Sequence, residues 1–177
     1  MTSAHAASVV GTINFSSGAG GGIILQNSLG IATTNFASVT GVKSWSLAKV
    51  DSRSGSFMSI PNGQSVSFNT TPWVFNPSTP IAPLWSIAGP DNFSFTLNSS
   101  LVVVHTQTFI AVTGTGTLSG NGYLNTPAQW FFATHTRPIN GQYVWSSSTV
   151  AIPEAGTTTL LAAALCGICL VRRRKAS

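Results

Sequence analysis

The chain of 177 residues is long enough for one domain of ordinary size, and a hydrophobic fraction of 43% is sufficient for a packed core. Charged residues make up only 6%, against about 25% in an average soluble protein, so Ser, Thr, Asn and Gly must supply the polar surface, as they commonly do in exported proteins. The formal net charge is +5, but half of the basic residues form one C-terminal cluster, which excludes a phosphate-binding stripe and therefore a nucleic-acid partner.

The N-terminal segment, MTSAHAASVV, has neither the positively charged region nor the apolar region of a secretory signal peptide. Ala4-His5-Ala6 nevertheless has the A-x-A form of a signal-peptidase site. We therefore expect residues 1–7 to be the remnant of a signal peptide and its cleavage region, with the rest of that peptide encoded upstream of Met1.

Short apolar runs separated by frequent Gly and Pro predict β-structure over residues 8–150. Residues 56–68 (SFMSIPNGQSVSF) alternate apolar and polar side chains on both sides of a Pro-Asn-Gly turn, which predicts a β-hairpin. Residues 92–97 again alternate apolar and polar side chains, which predicts another strand. Residues 101–120 are rich in β-branched side chains and predict one or two strands.

Two aromatic segments, AQWFFATHT and GQYVWSSSTVA, predict further strands near the end of this domain. No stretch before residue 150 has the period of an amphipathic helix. Many short strands with turns at regular intervals are typical of an antiparallel sandwich or jelly roll. We therefore predict an all-β domain, an antiparallel β-sandwich or jelly-roll-like fold over residues 8–150, with Phe57, Phe93, Phe95 and Leu97 in its core.

Five tryptophans are many for a domain of this size, and they leave two interpretations open. Tryptophans fill the cores of small β-domains without disulfides, since each buries about 150–250 Å². Aromatic faces also stack against sugar rings in carbohydrate-binding modules. We favour the core interpretation for any single tryptophan and keep sugar stacking as the alternative. The candidates for stacking are Trp73, Trp85, Trp130 and Trp145.

The side chains that catalysis requires are scarce in this sequence. Glycoside hydrolysis generally uses two carboxylates, and the candidates Asp51 and Asp91 both lie in turn sequences, where Asp commonly bonds its own backbone. His105 and His135 fall within strand patterns and lack a metal-ligand spacing. No G-x-S-x-G motif occurs, and both cysteines lie in the C-terminal apolar run. We therefore predict a protein that is not an enzyme and uses no cofactor or metal ion.

The tail, residues 151–177, has three parts. Pro153 and Glu154 precede an uncharged apolar stretch, residues 155–171, which would span about 26 Å as a helix, just short of a typical hydrocarbon core. Four cations follow: Arg172, Arg173, Arg174 and Lys175. These four residues would act as a membrane stop. By the positive-inside rule they remain in the cytoplasm, and the domain that precedes the tail lies outside. We therefore predict a single short C-terminal transmembrane helix.

The Pro-Glu dipeptide, the short apolar span and the terminal arginine cluster together resemble the PEP-CTERM sorting signal of Gram-negative-type bacteria. Pro153 and Glu154 match the first two motif positions, and Ala155 stands where the family usually has a second proline. Residues 114–134 are also similar to a recurrent segment of PEP-CTERM ectodomains, in which a glycine-rich strand and a Thr-Pro turn lead into an aromatic strand. The residues that match are Gly114, Gly116, Gly120, Gly122, Thr126, Pro127 and Trp130.

The resemblance implies processing near Pro153-Glu154 by an exosortase, a membrane transpeptidase-like protease. It also implies a transient stay in the inner membrane, followed by delivery to the cell surface or to the extracellular polysaccharide matrix of a biofilm. We expect a non-enzymatic structural or interaction role at that location. The alternative is a surface protein that binds carbohydrate, with the exopolysaccharide itself as the partner.

Overall fold

The computed structural model describes residues 6–135 and 143–149, and strands dominate this part of the chain. Its helical segments are two short 3-10 helices, Phe36–Ser38 and Gly55–Ser59. None of the helices among the described residues has the length and apolar character needed to cross a membrane. The strands are β1 (Ala7–Ser8), β2 (Thr12–Gln26), β3 (Gly41–Arg53), β4 (Ser65–Phe68), β5 (Trp73–Val74), β6 (Ile81–Ser86), β7 (Ser94–Leu97), β8 (Leu101–His105), β9 (Phe109–Ser119), β10 (Tyr123–Leu124), β11 (Thr126–His135) and β12 (Tyr143–Thr149).

Eight strands close into an antiparallel barrel. Neighbours follow the order β11, β12, β2, β3, β4, β6, β7 and β9, and β9 then pairs with β11. This closing pairing is long, from Thr126 opposite Leu118 to His135 opposite Phe109. The predicted all-β, antiparallel class is confirmed, but the arrangement differs from the predicted sandwich or jelly roll. One sheet closes on itself because β9 pairs on both of its edges, where a sandwich would pack two sheets face to face.

Several predicted features lie outside the described residues. They are the transmembrane helix over residues 155–171, the sorting motif Pro153, Glu154 and Ala155, the cations 172–175 and the A-x-A site of residues 4–6, of which only Ala6 is described.

Four further strands lie outside the ring of eight, and two of them form a small sheet of their own. β5 pairs with β3, and the two-residue strands β1 and β10 pair in parallel. β8 pairs with residues 110–113 of β9, next to the part of β9 that pairs with β7. Among the described residues, β8 therefore ends the sheet order, with β9 as its pairing strand.

The barrel interior is filled by side chains, because an eight-stranded barrel is just wide enough to be packed solid. Alternate residues of β11 show the pattern: Trp130 and Phe132 point inward and are buried, whereas Phe131 between them is 41% exposed. The predicted core residues are all buried, which confirms that prediction: Phe57, Phe93, Phe95 and Leu97.

Glycines of β9 let large rings approach the strand. A Cβ atom at Gly116 would lie 2.0 Å from Cζ of Phe95, and one at Gly114 would lie 2.8 Å from Cζ2 of Trp130. A side chain at Gly116 would displace the Phe95 ring, and one at Gly114 would also lie 2.0 Å from the backbone oxygen of Ser99. Because these two positions carry no side chain, the rings of Phe95 and Trp130 can pack directly against the backbone of β9 inside the barrel.

Residues 56–68 do not form the predicted hairpin. The first arm belongs to the 3-10 helix Gly55–Ser59, and only the second arm is a strand, β4, which pairs with β3. Phe57 and Ile60 are both buried, a spacing of three that suits a helical turn better than a strand. Gly55 starts this turn with a φ of +60°, and a Cβ there would lie 2.0 Å from the carbonyl oxygen of Val10.

Candidate functional site

A cleft of about 320 Å³ opens where β11 ends and β12 begins. We call it the terminal cleft. Its polar wall residues are Ser16, Ser17, Thr134, His135 and Tyr143. Its apolar wall residues are Phe109, Ala133 and Val144.

Strand register brings these residues together from distant parts of the sequence. Val144 on β12 lies opposite Ala133 on one side and opposite Ser16 of β2 on the other. The pairing of β11 with β9 places His135 opposite Phe109. Directly opposed residues of antiparallel strands have Cβ atoms about 4.5–5.5 Å apart, so each of these pairs forms a continuous wall.

Tyr143 borders the cleft, but its ring and hydroxyl are buried in the hydrophobic core. Its side chain is 2% exposed, and its hydroxyl has no hydrogen-bond partner among the described residues. The ring packs edge-on against Trp45, with centroids 5.1 Å apart. Burial, with a smaller contribution from the Asp51 carboxylate, raises the pKa of Tyr143 well above its ordinary value. The hydroxyl therefore stays protonated at neutral pH and can act as a hydrogen-bond donor.

Ser16 is oriented by the exposed carboxylate of Asp51. Its Oγ donates a hydrogen bond of 2.8 Å to Oδ1 of Asp51. Because the Ser16 proton is directed at Asp51, the oxygen of Ser16 offers its remaining lone pair as an acceptor. The serine bonds the carboxylate directly, and among the described residues no imidazole bonds it.

The two aspartates considered for catalysis are held by different serines. Asp51 accepts from Ser16, whereas Oδ2 of Asp91 accepts a 2.6 Å hydrogen bond from Oγ of Ser59. Asp91 lies in a second, smaller cleft of about 140 Å³, and the described residues of its walls include no other carboxylate.

His105 and His135 have different surroundings. Nε2 of His105 lies 2.6 Å from the backbone oxygen of Phe36, and His135 lines the terminal cleft. Within residues 6–135 and 143–149, no three His, Cys, Asp or Glu side chains form a group that could hold a metal ion.

The four tryptophans proposed for sugar stacking lie in the core. Trp73, Trp85 and Trp145 are 0% exposed, and Trp130 is 2% exposed. Trp130 and Trp145 stack on each other with centroids 4.9 Å apart. The indole N–H groups of Trp73 and Trp85 are buried and have no hydrogen-bond partner in the described part of the chain, so these two rings act through packing. None of the four presents the open ring face that stacking a sugar requires.

Trp45 was not among those four, yet it is the tryptophan that is only partly buried. Phe68 stacks on it at 4.1 Å, and Trp73 lies nearly parallel to it at 6.2 Å. Because aromatic neighbours lie parallel to its ring, Trp45 also contributes to the core more than to a binding platform.

Sequence reasoning missed the terminal cleft. Ser16 and Tyr143 are far apart in the chain and belong to no motif, and only the pairing of β2 with β12 brings them to one place.

Comparison of the chain with models of protein families, with curated proteins and with solved structures gives no match.

Proposed function

We propose that the chain is an exported cell-surface or extracellular-matrix protein with a non-enzymatic structural or interaction role, sorted by an exosortase. The observation that carries the proposal is the three-part tail. Pro153-Glu154, the uncharged residues 155–171 and the cations 172–175 follow one another without interruption. An apolar span that is barely long enough for a bilayer, closed by a cationic stop, would hold the chain in the inner membrane and present the Pro-Glu site outside it.

The described domain suits such a role. Residues 6–135 and 143–149 contain no cysteine and few charges, and their barrel is held by aromatic packing and strand pairing. A domain stabilised in this way needs no disulfide and is insensitive to the redox state of its surroundings. These residues alone close the barrel, so removal of the tail would leave the ring of strands complete.

Cleavage after Glu154 would change the chemistry of the protein. Both cysteines and four of the eight basic residues lie beyond that point. The part that remains carries four cationic and three anionic side chains, a net charge near +1. The mature protein would therefore be almost neutral, which fits residence in a hydrated polysaccharide matrix without ion pairing.

Processing can be tested in the native host by comparing strains with and without the exosortase. We expect the strain without it to accumulate the uncut chain in its inner membrane. The double variant Pro153→Ala/Glu154→Ala should behave in the same way in the strain that has the enzyme. Pro61→Ala, in an exposed turn of the domain, is the matched control and should be processed normally. Unchanged cleavage in the exosortase-deficient strain would refute the proposed sorting.

The alternative role, carbohydrate binding, needs a surface other than the four tryptophans, because those rings are buried. The terminal cleft is one described surface feature where polar residues, Ser16 and His135 among them, lie beside the half-buried ring of Phe109.

A further inference from the structure

We propose that the free edge of β8 is an interaction surface at which a second copy of this chain pairs, strand against antiparallel strand, to form a two-fold dimer. The pairing itself rests on the exposure, the chemistry and the anchoring of β8. Its use between chains that are crowded at a cell surface rests on the proposed function.

One edge of β8 has no strand beside it in the described part of the chain. On its other edge β8 pairs with β9, from Leu101 opposite Thr113 to His105 opposite Ile110. Among the described residues, the backbone of residues 101–105 makes no hydrogen bond outside this pairing. An edge strand of this kind presents a row of unpaired N–H and C=O groups to which another strand can add.

The side chains of β8 that face solvent are large and apolar. Leu101 is 63% exposed, Val103 is 49% exposed and Val104 is 42% exposed. Single exposed apolar residues are ordinary on a protein surface, whereas a contiguous group of them marks an interaction site. Three within four consecutive residues of an edge strand form such a group.

The inner face of β8 is anchored, so the edge is already formed before a partner binds. Val102 packs against the hydrophobic core. On one side of it, Oγ of Ser100 donates a 2.7 Å hydrogen bond to the backbone oxygen of Phe75. On the other side, Nε2 of His105 donates one of 2.6 Å to the backbone oxygen of Phe36. Because the strand is held in place, its ordering costs little conformational entropy on binding.

The free edge lies away from the points where residues 136–142 and the tail join the barrel. Residues 136–142 follow β11, and β9 lies between β11 and β8. Neighbouring strands are about 4.7–4.9 Å apart, so β8 is about two strand spacings from β11. The tail follows Thr149, which lies opposite Ala128, and Ala128 lies opposite Gly116, beyond the part of β9 that pairs with β8.

The chemistry of this edge favours a second copy over a charged partner. Residues 92–135 contain no Lys, Arg, Asp or Glu, so β8 and its loops lack the charges that keep many edge strands apart. A charged partner would find no counter-charge among these residues, whereas an identical edge brings no repulsion. Antiparallel pairing of two identical strands is two-fold symmetric, so each contact is made twice.

The length of β8 limits the strength of the dimer. The strand has five residues, and its register with β9 shifts between Val102 and Val104. Stable interfaces usually involve about 20–30 residues on each side, many more than one short strand supplies. We therefore expect a reversible dimer whose population depends on concentration.

Sedimentation velocity of the purified full chain over a range of concentrations measures this equilibrium. Val103→Lys brings two like charges to the shared edge and should raise the Kd of the dimer by about tenfold. Because Val103 is half exposed, the lysine can be accommodated without unfolding, and the thermal midpoint should be kept. The matched control, Met58→Lys, adds the same charge at a 61% exposed site outside the strands and should leave the Kd unchanged.

A charge swap tests whether the partner is a second copy. Val103→Glu should weaken self-association as Val103→Lys does. An equimolar mixture of the two variants should associate at least as tightly as the natural chain, because opposite charges then meet across the edge. A variant that had lost its fold would not be rescued by mixing.

A natural chain that stays monomeric at every concentration, an unchanged Kd in Val103→Lys, or no rescue in the mixture would overturn the proposal. All variants carry the same tail, so any contribution of the tail to association is common to them. Tail processing is scored in cells and pairing in the purified protein, so the failure of the sorting proposal and the failure of this one are distinguishable.

Discussion

The alternation of residues 92–97 correctly predicts that Phe95 lies in the core. Its ring is 0% exposed, stacks near Trp85 at 5.7 Å and meets Trp145 edge-on at 5.9 Å. Phe95→Ala removes these contacts from the centre of the barrel and should lower the free energy of unfolding by about 3–5 kcal/mol. Urea denaturation of the purified chain measures the loss. Phe131→Ala, on the exposed face of β11, is the control and should cost less than about 1 kcal/mol.

Gly116 leaves the space that the Phe95 ring occupies. A Cβ atom there would overlap the Phe95 ring, so Gly116→Ala should destabilise the fold by about 1–3 kcal/mol through overpacking. Gly89→Ala is the control, because a Cβ at Gly89 meets nothing within 4 Å. The same denaturation assay compares the two. If the penalty does not shrink when Gly116→Ala is combined with Phe95→Leu, the clash is not its cause.

Tyr143 should make the stability of the fold depend on alkaline pH. Burial raises its pKa above the unfolded value of about 10, so the folded state prefers the neutral phenol. The resulting stability is present in full below pH 10 and declines as the pH rises above it, by about 1.4 kcal/mol per pH unit. Urea denaturation at pH 8 and pH 11 should show a larger loss for the natural chain than for Tyr143→Phe. Equal losses would mean that the phenol is accessible to water when folded.

At the scale of elements, strands with strict alternation or β-branched runs are the ones that the sequence predicts well. Residues 92–97 contain β7, residues 101–120 contain β8 and β9, and the two aromatic segments become β11 and β12. The hairpin over residues 56–68 fails, since its alternation also matches a helical turn with Phe57 and Ile60 buried. Gly55 packs closely against the backbone of Val10, and this contact favours the helical turn over the hairpin arm. The local sequence pattern does not show such a long-range contact.

The strand β8 offers an exposed edge at which another chain could pair. Leu101, Val103 and Val104 are 63%, 49% and 42% exposed, and β8 ends the sheet order among the described residues. Uncharged apolar edge strands are templates for pairing with another chain. Val104→Lys should therefore slow aggregation on heating, as followed by light scattering, and change the free energy of unfolding by no more than about 0.5 kcal/mol. Met58→Lys, at a 61% exposed site outside the strands, should leave the aggregation rate unchanged.

At the scale of the whole molecule, the all-β class could be predicted and the closed barrel could not. Inward and outward residues alternate identically in a sandwich and in a barrel, so the pattern of β11 fits both. What separates them is the pairing of β9 with β7 and β8 on one edge and with β11 on the other. The terminal cleft depends on the same long-range register, and for that reason no motif predicted it.

The tail is the part of the molecule on which the functional account depends. In the proposed sorting model, residues 155–171 are short for a permanent anchor, and Pro153 before them would favour an extended backbone that a protease can reach. A processed tail would make the basicity of the full chain, with its isoelectric point near 9.9, a property of the precursor alone.

Intact-mass analysis of the protein recovered from the cell surface of the native host tests this account most directly. We predict a chain that ends near Glu154 and has lost both cysteines and the four terminal cations. Recovery of surface material with Cys166 and the cations 172–175 still attached would contradict the account and make the tail a permanent anchor.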